Sequence, residues 1–179
     1  MKIALAFCLL LLITSQCTDA KKSRKLHKIY KFHKKVRNAA KICLIPGQPP
    51  AKNLAKLKWN KELAKKAQQQ ANRCDFFSVD PNDLIIGDFD SVGQNLAQFP
   101  TISEVLNYWF SEHENYDFEK DECKAECKNY KQMVWSTTNA IGCGVKKCQE
   151  NYLVICNYAP SDSDGRPYEV GSKSQCMPR

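Results

Sequence analysis

Asn129-Tyr-Lys-Gln-Met-Val-Trp-Ser-Thr-Thr138, Ile141-Gly-Cys-Gly-Val145 and Tyr152-Leu-Val-Ile-Cys-Asn-Tyr-Ala-Pro160 make up the stretch around which the chain is organised. The second and third pieces are rich in β-branched and aromatic residues. They flank Lys146-Lys-Cys-Gln-Glu-Asn151, a polar turn. Two such runs about a short polar connection predict a β-hairpin. Cysteines stand in both runs and at the turn.

The 179 residues suffice for one domain with a real core. Lys2 and the apolar run Ile3–Ile13 read as a signal peptide, because 11 apolar residues are too few to span a bilayer, which needs about 20. Cleavage is expected after Ala20, with Thr18 two positions before it, or after Cys17. Either cut removes Cys8 and Cys17. No second apolar run of spanning length follows, so the expected product is a soluble, secreted, extracellular monomer. The other eight cysteines are Cys43, Cys74, Cys123, Cys127, Cys143, Cys148, Cys156 and Cys176. An even count in a secreted chain predicts four disulfides, with the pairing left open by counting alone. A zinc site is disfavoured: His27, His33 and His113 do not interleave with the cysteines at zinc-ligand spacing.

Charge divides the chain. Lys21–Lys61 holds fourteen Lys and Arg and no acid, whereas Glu62–Arg179 holds twelve Lys and Arg against eighteen acids, a net of −6. Lys21–Lys25 reads as a short basic tail. From Leu26 the positions Ile29, Tyr30, His33, Val36 and Ala40 recur at helical spacing, with lysines on the other face, and the pattern stops before Pro46-Gly47. His33 lies within the apolar stripe, which points to a buried hydrogen-bonding histidine rather than a ligand. The lysine face is either simply solvated or adheres to anionic glycans or membranes.

A second helix is predicted over about Asn60–Cys74, capped by Asn60, with Leu63, Ala67, Ala71 and Cys74 inward. Residues 75–93 carry five aspartates without calcium-loop spacing and read as a solvated loop. Thr101-Ile-Ser-Glu104 is a capping box that opens a third helix through Ile102, Val105, Leu106, Trp109 and Phe110. Glu112 shares that apolar face. It is either a functional acid or a rim residue that bonds a backbone amide. Glu114–Lys131 reads as a polar loop, and the segment after Pro160 as an irregular tail with little to pack against. No nucleophile elbow, phosphate loop, metalloprotease helix or dinucleotide fingerprint is present.

Lys128-Asn-Tyr-Lys-Gln-Met-Val-Trp135 resembles the Gly-His-Tyr-Thr-Gln-x-Val-Trp signature of the CAP superfamily, which comprises cysteine-rich secretory proteins, insect venom antigen 5 and plant pathogenesis-related class 1 proteins. Cys156-Asn-Tyr-Ala-Pro160 resembles its second signature. His33-x-x-x-Arg37, Gln48-Pro-Pro-Ala-Lys-Asn-Leu54 with Leu57-x-Trp59, Leu63-Ala-x-x-Ala-Gln68 with Ala71-Asn-x-Cys74, Gly93-Gln-Asn-Leu96, and Trp109-x-x-Glu112 with Tyr116 extend the likeness. It runs from about residue 26 to 165. It implies an α+β fold, the CAP-type α-β-α sandwich with a small antiparallel sheet between helical layers. The expected organisation is a signal peptide at 1–20, the CAP domain at 21–165 and a tail at 166–179 pinned by a disulfide.

The resemblance also implies the pairs Cys74–Cys148, Cys123–Cys127 and Cys143–Cys156, with Cys43–Cys176 left to pair by elimination. The family's central cleft holds two histidines and two glutamates able to bind a divalent metal. Here those positions are Ser78, Gln94, Glu112 and Asn129. Only the glutamate at 112 is kept, and Ser, Gln and Asn neither titrate near neutrality nor hold zinc well. Ser161-Asp-Ser-Asp164 also stands where the family has Gly-Asn. The expectation is therefore a non-enzymatic binding protein with no cofactor and no nucleic-acid partner. The resemblance implies a lipid, a sterol or an extracellular protein as its partner, with a lipid site near Tyr116 and Phe118. A hydrolase using Glu112 is the enzymatic alternative.

Overall fold

The computed structural model describes residues 2–76, 80–161 and 164–176, with side chains from residue 21 onward. Helix α1 spans Lys2–Lys41 and α2 Lys61–Asn72, with the two-residue strand β1, Lys58–Trp59, between them. Strand β2 (Gly93–Phe99) precedes α3 (Ile102–Ser111). A small hairpin of β3 (Tyr116–Asp117) and β4 (Glu122–Cys123) leads to α4 (Lys128–Val134). The long hairpin β5 (Ala140–Cys148) and β6 (Asn151–Ala159) completes the sheet. The strand order is β1-β5-β6-β2, antiparallel except that β1 runs parallel to β5.

Alternation along β6 sorts the core into two layers. Val154, Cys156 and Tyr158 face α1, α3 and α4, where they join Ile29, Val36, Val105, Trp109 and Met133. Leu153 and Ile155 face α2 and pack on Ala67 and Ala71. Trp109 is fully buried, a burial that stabilises by about 4–6 kcal/mol. The second layer needs Gly142 and Gly144. A Cβ at Gly142 would stand 2.1 Å from the backbone nitrogen of Ala64, and one at Gly144 2.4 Å from the carbonyl of Ala67. The α2 backbone therefore rests directly on β5, and no larger residue fits at either place.

Several sequence expectations need correction. The basic tail Lys21–Lys25 is helical, because nothing between Lys2 and Lys41 is Gly or Pro and the helix runs on unbroken. The second helix stops at Asn72, so Cys74 leaves the inner stripe and is exposed. Cys74 has φ +53° and bonds Cys148. The aspartate-rich loop is not wholly solvated: Asp83 is buried and paired with Arg73, beside the buried Ile86. The polar loop Glu114–Lys131 holds the β3–β4 hairpin and the start of α4, a helix too short for its Tyr130, Met133 and Val134 spacing to register as a period. The tail does pack. The Tyr168 ring lies 4.9 Å from that of Phe118, Val170 bridges Ala51, and Gly171 N donates to Pro50 O. The disulfides are Cys43–Cys176, Cys74–Cys148, Cys123–Cys127 and Cys143–Cys156.

His33 locks α1 to the sheet. Its Nδ1 lies 2.9 Å from the Ile29 carbonyl oxygen and its Nε2 2.7 Å from the Tyr158 hydroxyl. A carbonyl only accepts, so the neutral ring carries its proton on Nδ1 and accepts from Tyr158. Full burial is the main cause that holds its pKa down to about 4 from 6.5. The unfolded chain thus takes up the proton first as pH falls. Stability is complete above pH 6.5 and is lost toward pH 4, by about 3 kcal/mol. Urea unfolding should show this extra loss between pH 7 and 4 in the wild type and not in His33→Gln; equal pH slopes would contradict it.

Candidate functional site

The last turn of α3 passes into a short 3₁₀ turn, Glu112–Glu114. This places Glu112 inward, only 3% exposed. Its two oxygens are both occupied. Asn129 Nδ2, in the first turn of α4, donates to Oε1 at 2.6 Å, and the Tyr130 backbone N donates to Oε2 at 3.1 Å. Asn95 Nδ2 on β2 donates to the Asn129 carbonyl at 3.0 Å. Both earlier readings of Glu112 thus miss part of the outcome: it bonds a backbone amide, but from the interior rather than the rim. Burial raises its pKa, and the Asn129 and Tyr130 hydrogen bonds oppose that rise.

Gln94 does not join this group. It lies opposite Asn157 in the β2–β6 ladder. Its Nε2 donates to Asn157 Oδ1 and to Gln70 Oε1, both at 2.8 Å. Asn157 Nδ2 in turn reaches the Leu63 carbonyl of α2. Gln94 therefore sits on the α2 face of the sheet, while Glu112, Asn129 and Asn95 sit on the other. Ser78 lies outside the described residues, as do Asp162 and Ser163. A divalent metal would find one carboxylate with both oxygens engaged and the amide of Asn129, a set that does not fit zinc. Among the described residues no three of His, Cys, Asp and Glu are grouped to hold a metal ion. Glu112 also has no nucleophile and no titrating partner among its hydrogen-bonded neighbours.

Beside this link lies a groove of ≈ 820 Å³. The Pro46–Pro49 loop forms one wall, and Phe110 and His113 another. Tyr116 and Phe118 contribute to the lining, and both rings also belong to the core. Their rings meet edge to face at 5.8 Å. The Tyr116 hydroxyl donates to Asp121 Oδ1 at 2.6 Å, and burial with this bond raises its pKa. Phe110 stacks on His113 at 4.6 Å. Gln48 holds the far wall by donating to the carbonyls of His113 and Tyr116, both at 2.9 Å, and leaves its own Oε1 buried without a partner. Tyr116 and Phe118, the two aromatics the family resemblance singles out, both line this groove. The sequence does not place Gln48 or Phe110 here, because Gln48 shows only as part of a family-like stretch after a helix stop and Phe110 only as a core position.

Asn129→Ala would leave one oxygen of Glu112 buried and unbonded. The expected cost is about 1–3 kcal/mol at pH 7, shrinking at acid pH as the carboxyl protonates. Thermal or urea unfolding of both proteins at pH 7 and 4 measures it; a difference that does not depend on pH would show that Asn129 does not serve the carboxylate.

Residues 30–158 match the profile of the cysteine-rich secretory protein (CAP) family. The chain is 36% identical to venom allergen 5 of Vespa magnifica over 164 residues, covering 84% of this chain and 72% of that protein. It is 31% identical to cysteine-rich secretory protein 3 of Homo sapiens over 143 residues, covering 73% of this chain and 58% of that protein. Its fold is similar to that of venom allergen-like protein 4 of Schistosoma mansoni, with 62% identity, a TM-score of 0.84, and coverage of 85% of this chain and 98% of that one. On the shared fold and the matched domain, the chain belongs to the cysteine-rich secretory protein, or CAP, family.

Proposed function

We propose that this protein is secreted and acts by binding rather than catalysis, holding an apolar ligand of the lipid or sterol class in the groove beside Glu112. The observation that carries this reading is the groove itself, ≈ 820 Å³ with Phe110, Tyr116, Phe118 and two prolines in its lining. That size and composition suit a small-molecule site, which spans roughly 300–1,000 Å³ and is mostly apolar. The engagement of both Glu112 oxygens supports the non-enzymatic side. Secretion is supported by the leader-like start Lys2–Ile13 and by four disulfides.

The groove's charge narrows the ligand. Glu114, Asp117 and Glu119 line it against a single ammonium, Lys124. Three carboxylates to one cation repel an anionic headgroup. A neutral sterol is favoured over a fatty-acid anion. Titration with cholesterol and with a long-chain fatty acid tests this. The expected result is sterol preferred by the wild type, at least fivefold weaker sterol binding in Phe110→Ser, equivalent to about 1 kcal/mol, and a shift toward the fatty acid in Glu114→Lys with Glu119→Lys. No bound lipid, or a wild-type preference for the fatty acid, would contradict it.

A further inference from the structure

A second, smaller cleft lies on the flank of α1. Arg24, Lys28, Lys31 and Lys35 follow one another at four-, three- and four-residue steps and are all exposed. From Lys21 to Lys41 the rod is about 30 Å long. Its position is fixed. Ile29, His33, Val36 and Ala40 are buried against the body. Lys25 Nζ donates to the Tyr152 hydroxyl at 3.2 Å, and Lys28 Nζ to Ser103 Oγ at 2.7 Å. No acid occurs between Lys21 and Lys61, and among the described residues no lysine or arginine of α1 forms a salt bridge.

Where α1 meets the segment before β1, a cleft of ≈ 290 Å³ is lined by Lys34, Arg37, Lys41 and Lys56, with Asn38 and no carboxylate. Arg37 deepens its positive field. The guanidinium is buried, yet it donates only to carbonyl oxygens, those of Met133, Trp135, Ala55 and Thr138, at 2.7–3.3 Å. Carbonyls satisfy its N–H groups without cancelling its charge. Four cations thus line one concavity, on a flank of α1 beside the row of exposed cations.

We propose that this face binds a sulfated polysaccharide, with one sulfate seated in the Lys34–Lys41–Lys56 cleft and the chain laid along α1. A membrane surface fits less well. Interfacial helices insert an apolar face, and the apolar face of α1 is turned into the core. Among the residues from 21 onward whose side chains are described, the exposed large apolar ones, Leu44, Phe76, Ile85, Tyr108 and Val170, lie outside α1. A sulfated glycan needs no insertion, only an array of cations, and its binding falls steeply with salt as counterions are released.

The test uses the disulfide-intact protein, immobilised heparin and phosphatidylserine vesicles. Wild type should bind heparin at physiological salt. Lys34→Gln, Lys41→Gln and Lys56→Gln together should weaken binding at least tenfold and flatten its salt dependence. The matched triple Lys120→Gln, Lys147→Gln and Lys173→Gln removes the same charge elsewhere and should stay within twofold of wild type. All three proteins should share one unfolding midpoint. Equal losses in the two triples would reduce the effect to net charge and overturn the site. Failure of the wild type to bind heparin, or tighter binding to the vesicles than to heparin, would overturn the ligand class.

Discussion

Arg37 donates to four carbonyl oxygens from three separate segments, and that set of bonds fixes how the molecule closes. Ala55 precedes β1, Met133 and Trp135 end α4, and Thr138 leads into β5. Each carbonyl would otherwise need another donor at the edge of a packed layer. Bonds to a charged donor contribute about 1.5–3 kcal/mol each, which offsets the cost of burying the guanidinium. Burial still draws its pKa down, to about 10. Because Arg37 and His33 bind inward at a four-residue step, the lysines between and around them have only the solvent face left. One constraint therefore accounts both for the docking of α1 and for the outward cationic ladder.

The Glu112 link does for α3 and α4 what Arg37 does for α1. It joins the end of one helix to the first turn of the other through Asn129 and the Tyr130 amide. The Asn129 amide does not titrate, and its hydrogen bond to Glu112 ties the two helices together. Gln94 has a comparable tie on the opposite face, to Gln70 and Asn157. Gln94, Glu112 and Asn129 thus serve here as hydrogen-bonded joints. Two of the molecule's concavities differ sharply in charge: an aromatic groove with an acidic rim, and a basic cleft on α1. Their opposite charges suit two different partners.

Much of this was legible in the residues. The β5–β6 hairpin follows from its β-branched runs, α3 from a capping box that the structure forms in full, and α2 from Asn60, whose side chain caps the Glu62 and Leu63 amides. The signature motifs disclosed the fold. What could not be read were features created by tertiary contact. Tyr168 looked like tail because its partner Phe118 lies 50 positions earlier. The seven residues of α4 are too few to show a period. The family resemblance groups Glu112 and Gln94 in one cleft, but the pleat of β2 turns Gln94 toward α2 and only its neighbour Asn95 toward the Glu112 side. Arg37 shares the inner face of α1, four positions after His33, but a charged side chain gives no local sign that it will be buried.

On the proposed function, the protein carries a ligand rather than transforming one. Mass spectrometry of an organic extract of the protein, purified from a secreting host without added lipid, tests it most directly. The account predicts an uncharged apolar molecule approaching one per chain, depleted in Phe110→Ser and retained in Glu112→Gln. An extract free of lipid, together with a hydrolytic activity that Glu112→Gln abolishes, would contradict it.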